Sequence, residues 1–342
     1  MPVYKIAIAG ASSLLGRELK EAISESPLAA STFTLLDEEE AKGQLDQVGD
    51  EVTFIQPIGA DAFERVDFTF FCGTEALTRK HWREALRSGS TVLDLSGALD
   101  QEAGVLVRAP WLVTESASVD LFTPAVVPAH PAAVALGLLL ERVQQAAKVK
   151  FAAATVLVPA SEFGRGAMDE LHQQTVSLLS FQGIPRAIYD AQAAYNLLGG
   201  LGESAAITLS GVEGRIRRHY EALSAGRWPA LTVQVVHVPV FHGLTMSIAV
   251  DLERAAEISA LEEVLCGEHV DLVLEDTDSP SNLAASGQND VLVRMRPEPQ
   301  RNSSLTSRVW LWAAADNLRL DAQNAVECAL DLRRLRPQGT VQ

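Results

Sequence analysis

The chain has 342 residues, enough for two domains that each bury a core of their own. Its 28 Lys and Arg stand against 44 Asp and Glu. The resulting net charge of −16 repels phosphate backbones and anionic lipid, which argues against nucleic acid and membrane surfaces as partners. The first residues lack the pattern of a secretory signal and no apolar run is long enough to cross a bilayer, which predicts a cytoplasmic protein. Cys72, Cys266 and Cys328 are odd in number and far apart, so they match neither a disulfide framework nor a metal site and are expected to be buried small hydrophobes.

Residues 3–9 form an apolar strand-like run, followed by the glycine-bearing turn Gly10-Ala11-Ser12-Ser13-Leu14-Leu15-Gly16 and a helix-like stretch over 14–24. A turn of this kind brings backbone N–H groups to an anion while the helix start adds unpaired donors, so Gly10, Ser12, Ser13 and Gly16 are candidate dinucleotide contacts. A tight turn without a ligand is the alternative. After the strand-like run 32–36 come four carboxylates, Asp37 to Glu40. Asp37 or Glu38 can accept from a ribose 2′-hydroxyl, or the run is a solvated acidic loop. Strands at 67–71 and 91–95 with a helix at 77–87 complete an alternation that indicates a parallel sheet, up to about residue 121.

Pro128-Ala129-His130-Pro131 then precedes an apolar stretch at 132–143. Proline suits the first helical position, so a helix starts at or beside His130. A neutral His130 can serve there as a base or a hydrogen-bond partner, or be satisfied by backbone donors or a buried water. Beyond residue 148 the longer β-type segments 149–158, 231–240, 244–252 and 309–315 mix with helical pieces such as 166–179, which reads as an α+β domain. Residues 275–282 and 297–307 read as loops, and 322–335 as a terminal helix. His237 and His242, an odd number of positions apart, point to opposite faces of one continuous strand and do not form a metal pair. No metal site is predicted.

Residues 3–16, 128–131 and 315–319 together resemble the aspartate-semialdehyde dehydrogenase family across nearly the whole chain. The resemblance implies a Rossmann-type NAD(P)-binding domain over 1–130 and 317–342. It also implies an α+β dimerisation domain over 131–316, of the semialdehyde and glyceraldehyde-3-phosphate dehydrogenase type, and a homodimer. In that family a Pro-Asn-Cys-Ser/Thr segment supplies the thiol that attacks the substrate, and His130 falls on the cysteine. Ser13 takes the place of the central glycine of the family turn, while Glu40 stands at an arginine that holds the 2′-phosphate of NADP. NAD is therefore expected rather than NADP, if a dinucleotide binds at all.

The same resemblance places an apolar residue of segment 155–161 at the substrate-orienting glutamine, Leu244 at the acid/base histidine and His237 at that histidine's partner arginine, with His242 two positions before Leu244. Asp100 falls on a phosphate-binding arginine. Glu213 and Arg215 keep part of the polar site as candidate substrate or anion contacts, and Asp316-Asn317-Leu318-Arg319 is retained. Losses in four independent roles imply that reductive dephosphorylation is absent, as in the Usg-type branch of the family. What remains is a binding or scaffolding role toward a small molecule or protein. The alternative is altered chemistry that uses His130, His237 or His242 with Arg215.

Overall fold

The computed structural model describes residues 4–49, 51–59, 61–112, 123–274, 277–299 and 303–333. It divides into two compact units, residues 1–129 with 321–342, and residues 130–320. The first contains β1 (Lys5–Ala9), α1 (Leu14–Ser24), β2 (Thr32–Asp37), β3 (Leu45–Val48), β4 (Glu51–Phe54), β5 (Gln56–Pro57), β6 (Phe68–Phe71), α2 (Glu75–Arg87), β7 (Thr91–Asp94), β8 (Leu106–Arg108) and β9 (Ala125–Pro128). Seven strands pair in parallel in the order β5-β2-β1-β6-β7-β9-β8, and β3 with β4 makes a separate antiparallel ribbon. Apolar β1 is an interior strand, and Ile6, Ala7, Ile8 and Ala9 are buried on both of its faces. The strand order reverses beside it, with β2 on one side and β6 on the other, so the Gly10 turn stands at a topological switch point.

The second unit begins with α3 (Pro131–Ala146) and continues through β10 (Val149–Val158), α4 (Arg165–Leu179), α5 (Leu209–Ser224), β11 (Leu231–His237), β12 (Leu244–Glu257), α6 (Ile258–Leu265), β13 (Val270–Leu272), α7 (Asn282–Ala285), β14 (Val291–Pro299) and β15 (Leu305–Ala315). Its six strands form a mixed sheet, β11-β10-β12-β15-β14-β13. Every residue from Pro131 to Leu140 is buried, which is what an apolar helix without a polar stripe requires. Helix α8 (Asn317–Arg333) starts in this unit and passes into the first at Asp321.

Several expected boundaries move. Segment 297–307 was expected as a loop, yet β14 runs to Pro299 and β15 starts at Leu305, with a register shift between Pro297 and Pro299 where prolines lack ladder donors. The expected strand 231–240 stops at His237, just before Pro239. Helix α8 starts at Asn317 rather than 322, because Asp316 Oδ1 accepts the Arg319 N–H at 3.2 Å and nucleates the turn earlier. Parts of the expected loops, residues 275 and 276 and residues 300–302, lie outside the described residues, as do residue 3 of the first expected strand, residue 121 and the last two residues of the expected terminal helix. Among the described residues no helix is long and apolar enough to cross a membrane.

Candidate functional site

The predicted site residues fall on two strand-to-helix turns. In the first unit Gly10 has φ +89°, and a Cβ there would sit 2.3 Å from Gly73 N. A Cβ on Gly16 would lie 2.5 Å from Gly10 O. Backbone therefore packs on backbone at both positions, and no other residue fits without displacement. Ser13 caps α1: its Oγ accepts the Gly16 N–H at 2.8 Å and donates to Cys72 O at 2.7 Å. The Ser12 N–H donates to Asp37 Oδ2 at 2.8 Å, and Asp37 Oδ1 accepts the Glu38 N–H at 2.9 Å. Asp37 is thus a buried carboxylate anchored on the turn, while Glu38 is exposed. A cavity of about 400 Å³ opens along α1 and reaches Ser12; its cations Arg17 and Lys20 are matched by Glu21 and Asp46, so it selects no sign of charge.

A dinucleotide suits this turn in part. The leading amides of α1 at Leu14 and Leu15 have no intrahelical acceptor, and the anchored Asp37 carboxylate suits ribose hydroxyls. The Ser13 hydroxyl is committed to the cap and to Cys72.

In the second unit His130 is the N-cap of α3, with Pro131 at the first helical position. Its Nδ1 accepts the Ala132 N–H at 3.1 Å, so the proton of the ring sits on Nε2, which lies 2.8 Å from Glu162 Oε1 and donates to it. The backbone N–H of His130 donates to His219 Nδ1 at 2.9 Å. Glu162 comes from a short 3-10 turn at Ala160–Phe163. Burial pushes its carboxyl up, but its interaction with His130, hydrogen bond included, and the charge of Arg215 outweigh that and hold it below the usual carboxylate range. It is therefore ionised at neutral pH.

Arg215 and His219 lie four positions apart on α5 and share a face. Glu213, two positions before Arg215, faces elsewhere: its Oε2 accepts the Val235 N–H at 3.3 Å on β11. His130, Glu162, Arg215 and His219 come together, and Glu213 is spent on the sheet. Sequence reasoning missed Glu162 and His219. The i to i+4 spacing from Arg215 was a usable signal for His219; Glu162 carried none, since only the fold brings its turn to the start of α3.

His237 is fully buried between Tyr189, at a ring distance of 4.7 Å, and Phe163, at 6.1 Å. Among the described residues neither ring nitrogen has a hydrogen-bond partner of good geometry; burial lowers its pKa to about 4, against a weaker raising effect of the nearby Val158 backbone. His242 lies beyond the end of β11, and its carbonyl accepts from Asn282 Nδ2 at 3.3 Å. The expected alternation of the two histidines along one strand therefore does not arise. Among the described residues no hydrogen bond or ion pair joins His130 to His237 or His242, and no group of three or more His, Cys, Asp and Glu could hold a metal ion.

Cys72 and Cys328 are buried in the first unit, where burial pushes the Cys72 thiol up to about 12 and the Cys328 thiol higher still. Cys266 is exposed, contrary to expectation, because it ends α6 and no helix face covers it. It adjoins Leu265, whose carbonyl accepts from Arg142 at 3.1 Å, and Arg142 is about 18 Å along α3 from His130. The retained Asp316-Asn317 pair is structural: Asp316 Oδ2 accepts the Gly287 N–H at 2.9 Å, and Asn317 Oδ1 accepts from Ser161 Oγ and Gly243 N–H, both at 3.2 Å.

Residues 5–132 match the family described as semialdehyde dehydrogenase, NAD binding domain, and residues 140–320 match semialdehyde dehydrogenase, dimerisation domain. A USG-1 protein homolog of Azotobacter vinelandii is 30% identical over 336 residues, covering 96% of this chain and 97% of that protein. An aspartate-semialdehyde dehydrogenase of Rickettsia conorii is 24% identical, covering 96% of this chain and 97% of that one. The structure of a probable aspartate-semialdehyde dehydrogenase from Pseudomonas aeruginosa superimposes with a TM-score of 0.84 at 25% identity, covering 97% and 99% of the two chains.

Proposed function

The chain belongs to the semialdehyde dehydrogenase family, and from that premise we propose that it does not carry out thiol-dependent reductive dephosphorylation and acts as a dimeric, NAD-binding homologue. The observation that carries this reading is the state of His130. Both of its ring nitrogens are engaged, Nδ1 by the first turn of α3 and Nε2 by Glu162. No lone pair is left to abstract a proton, and an imidazole at this place cannot form the thioester that holds an acyl group for hydride transfer. Cys72 and Cys328 are buried, and burial pushes both thiols far above the range of an activated thiol. These points favour a binding role over altered chemistry based on His130.

A bound NAD supplies a nicotinamide; the chain's own residues only hold it. Gly10, Ser12 and Gly16 shape the turn, the amides leading α1 meet the pyrophosphate, and Asp37 accepts from the ribose. The acidic run from Asp37 to Glu40 repels a 2′-phosphate, which favours NAD over NADP. For the dimer we assign the face of the mixed sheet that carries the partly exposed Phe151, Trp310 and Trp312, opposite the alternate positions buried in the core.

Purified protein given aspartate semialdehyde, phosphate and either NAD or NADP is expected to form no reduced nucleotide. Phosphate-dependent formation of NADH or NADPH overturns the reading. Calorimetric titration is expected to show NAD binding at least as tightly as NADP, and NADP-selective binding contradicts the role given to the acidic run.

A further inference from the structure

The turn between β1 and α1 spends most of its own backbone donors. The Gly10 and Ala11 N–H groups donate to Leu36 O at 2.9 and 3.2 Å, and the Ser13 N–H donates to Gly10 O at 3.0 Å. The Ser12 N–H donates to Asp37 Oδ2 at 2.8 Å. These bonds shape the turn and tie it to the end of β2. The Gly16 amide is held differently, by a side chain: it donates to Ser13 Oγ at 2.8 Å. Among the described residues the Leu14 and Leu15 N–H groups have no acceptor.

An anion at a helix start draws on the first amides of the helix, here those of Leu14, Leu15 and Gly16. Of these, the Gly16 N–H is already matched. The Ser13 hydroxyl offers no proton in exchange, because it donates to Cys72 O at 2.7 Å. It therefore faces an arriving phosphate oxygen with lone pairs only.

We propose that the Ser13 hydroxyl competes with the cofactor's pyrophosphate for the Gly16 N–H and thereby lowers the affinity of this turn for NAD. Binding to the native chain either breaks the hydrogen bond that caps α1 or goes without the third donor. Removing the hydroxyl lifts that choice and gains a charge-assisted hydrogen bond, the stronger kind. A purely structural cap predicts the opposite, since its loss loosens the first turn and weakens binding. The proposal rests on the reading that the chain binds NAD through this turn, within the residues that match an NAD binding domain.

The test titrates NAD, ADP and adenosine by calorimetry into the native chain, Ser13→Ala and Ser13→Thr. NAD and ADP, which carry a pyrophosphate, are expected to bind Ser13→Ala about tenfold more tightly than the native chain. Adenosine, which carries none, is expected to show no gain. Ser13→Thr keeps the hydroxyl and is expected to retain the native affinity. Equal or weaker NAD binding by Ser13→Ala overturns the proposal, as does a gain shared by adenosine or by Ser13→Thr. If Ser13→Ala does not fold, Ser13→Gly carries the same comparison, because glycine is itself accepted as an N-cap. NAD binding by Ser13→Ala but not by the native chain upholds the proposal and removes NAD from the native protein's role. Failure of every chain to bind NAD removes that role and the proposal together, whereas native binding that Ser13→Ala leaves unchanged overturns the proposal alone.

Discussion

At Gly10 the chain turns from strand into helix by doing without side chains, and at His130 it makes the same kind of turn by interlocking them. Each helix has its N-cap, Ser13 for α1 and His130 for α3. The first turn is fixed by space: any Cβ at Gly10 or Gly16 runs into backbone. The second is fixed by charge and hydrogen bonding among residues far apart in sequence, with Glu162 closing on His130 from the 3-10 turn and His219 from α5. A turn specified by exclusion tolerates change poorly but offers an open backbone to a ligand. A turn specified by complementary polar groups consumes those groups, which is why His130 has nothing left with which to act on a substrate.

The largest effect should come from breaking the first turn. Gly10→Ala forces a methyl group to 2.3 Å from Gly73 N at a φ of +89°. We expect it to cost about 4 kcal/mol or more in denaturant unfolding, since both strain and overlap act at one site. A loss under about 1 kcal/mol would show that the turn relaxes and that exclusion does not define it.

Glu162→Ala probes the second turn and should cost about 3 kcal/mol, because it leaves the Nε2–H of the buried His130 without its carboxylate acceptor. Full stability in this variant would mean that water replaces the carboxylate at no cost.

His237 supplies a contrast within the second unit, a buried polar ring with no well-formed hydrogen bond among the described residues. Its folded pKa, about 4, lies below the ordinary value of 6.5, so the unfolded chain takes up the proton first as pH falls. Its contribution is therefore complete above pH 6.5 and is lost progressively as pH falls toward 4, amounting to about 3 kcal/mol over that window. His237→Phe removes this slope and is expected to be neutral or stabilising near neutral pH, since an apolar ring suits the contacts with Tyr189 and Phe163. A variant that keeps the slope between pH 6.5 and 4 would assign it to other groups. Glu162 acts below this range: its carboxyl is lowered from 4.5, so its share of stability persists above that pH and is lost only as pH falls further.

The smallest change is Ser13→Ala, which removes the cap of α1 and the bond to Cys72 O and should cost about 1 kcal/mol by denaturant unfolding. A much larger loss would show that this turn too depends on side chains.

Much of the fold was legible in the sequence because it rests on local pattern. Alternating apolar runs gave the parallel strands, Pro131 marked the start of α3, and the pairing of Gly10 with Gly16 placed the turn. Helix α5, with its polar mixed sequence, was not legible, and with it went His219. The strand through residues 305–308 was hidden by the polar residues around it, and it forms because β12 and β14 pair on either side.

The sequence by itself determined that no thiol follows Ala129 and that the turn after β1 must be built around glycine, since a missing atom and a forbidden Cβ are properties of single residues. Only the tertiary structure decided what His130 does instead. Its distant partners come from positions 162 and 219, and nothing in local spacing tells a buried imidazole which carboxylate will meet its free nitrogen. That choice is made by packing, which brings a four-residue turn and a polar helix to the same end of α3.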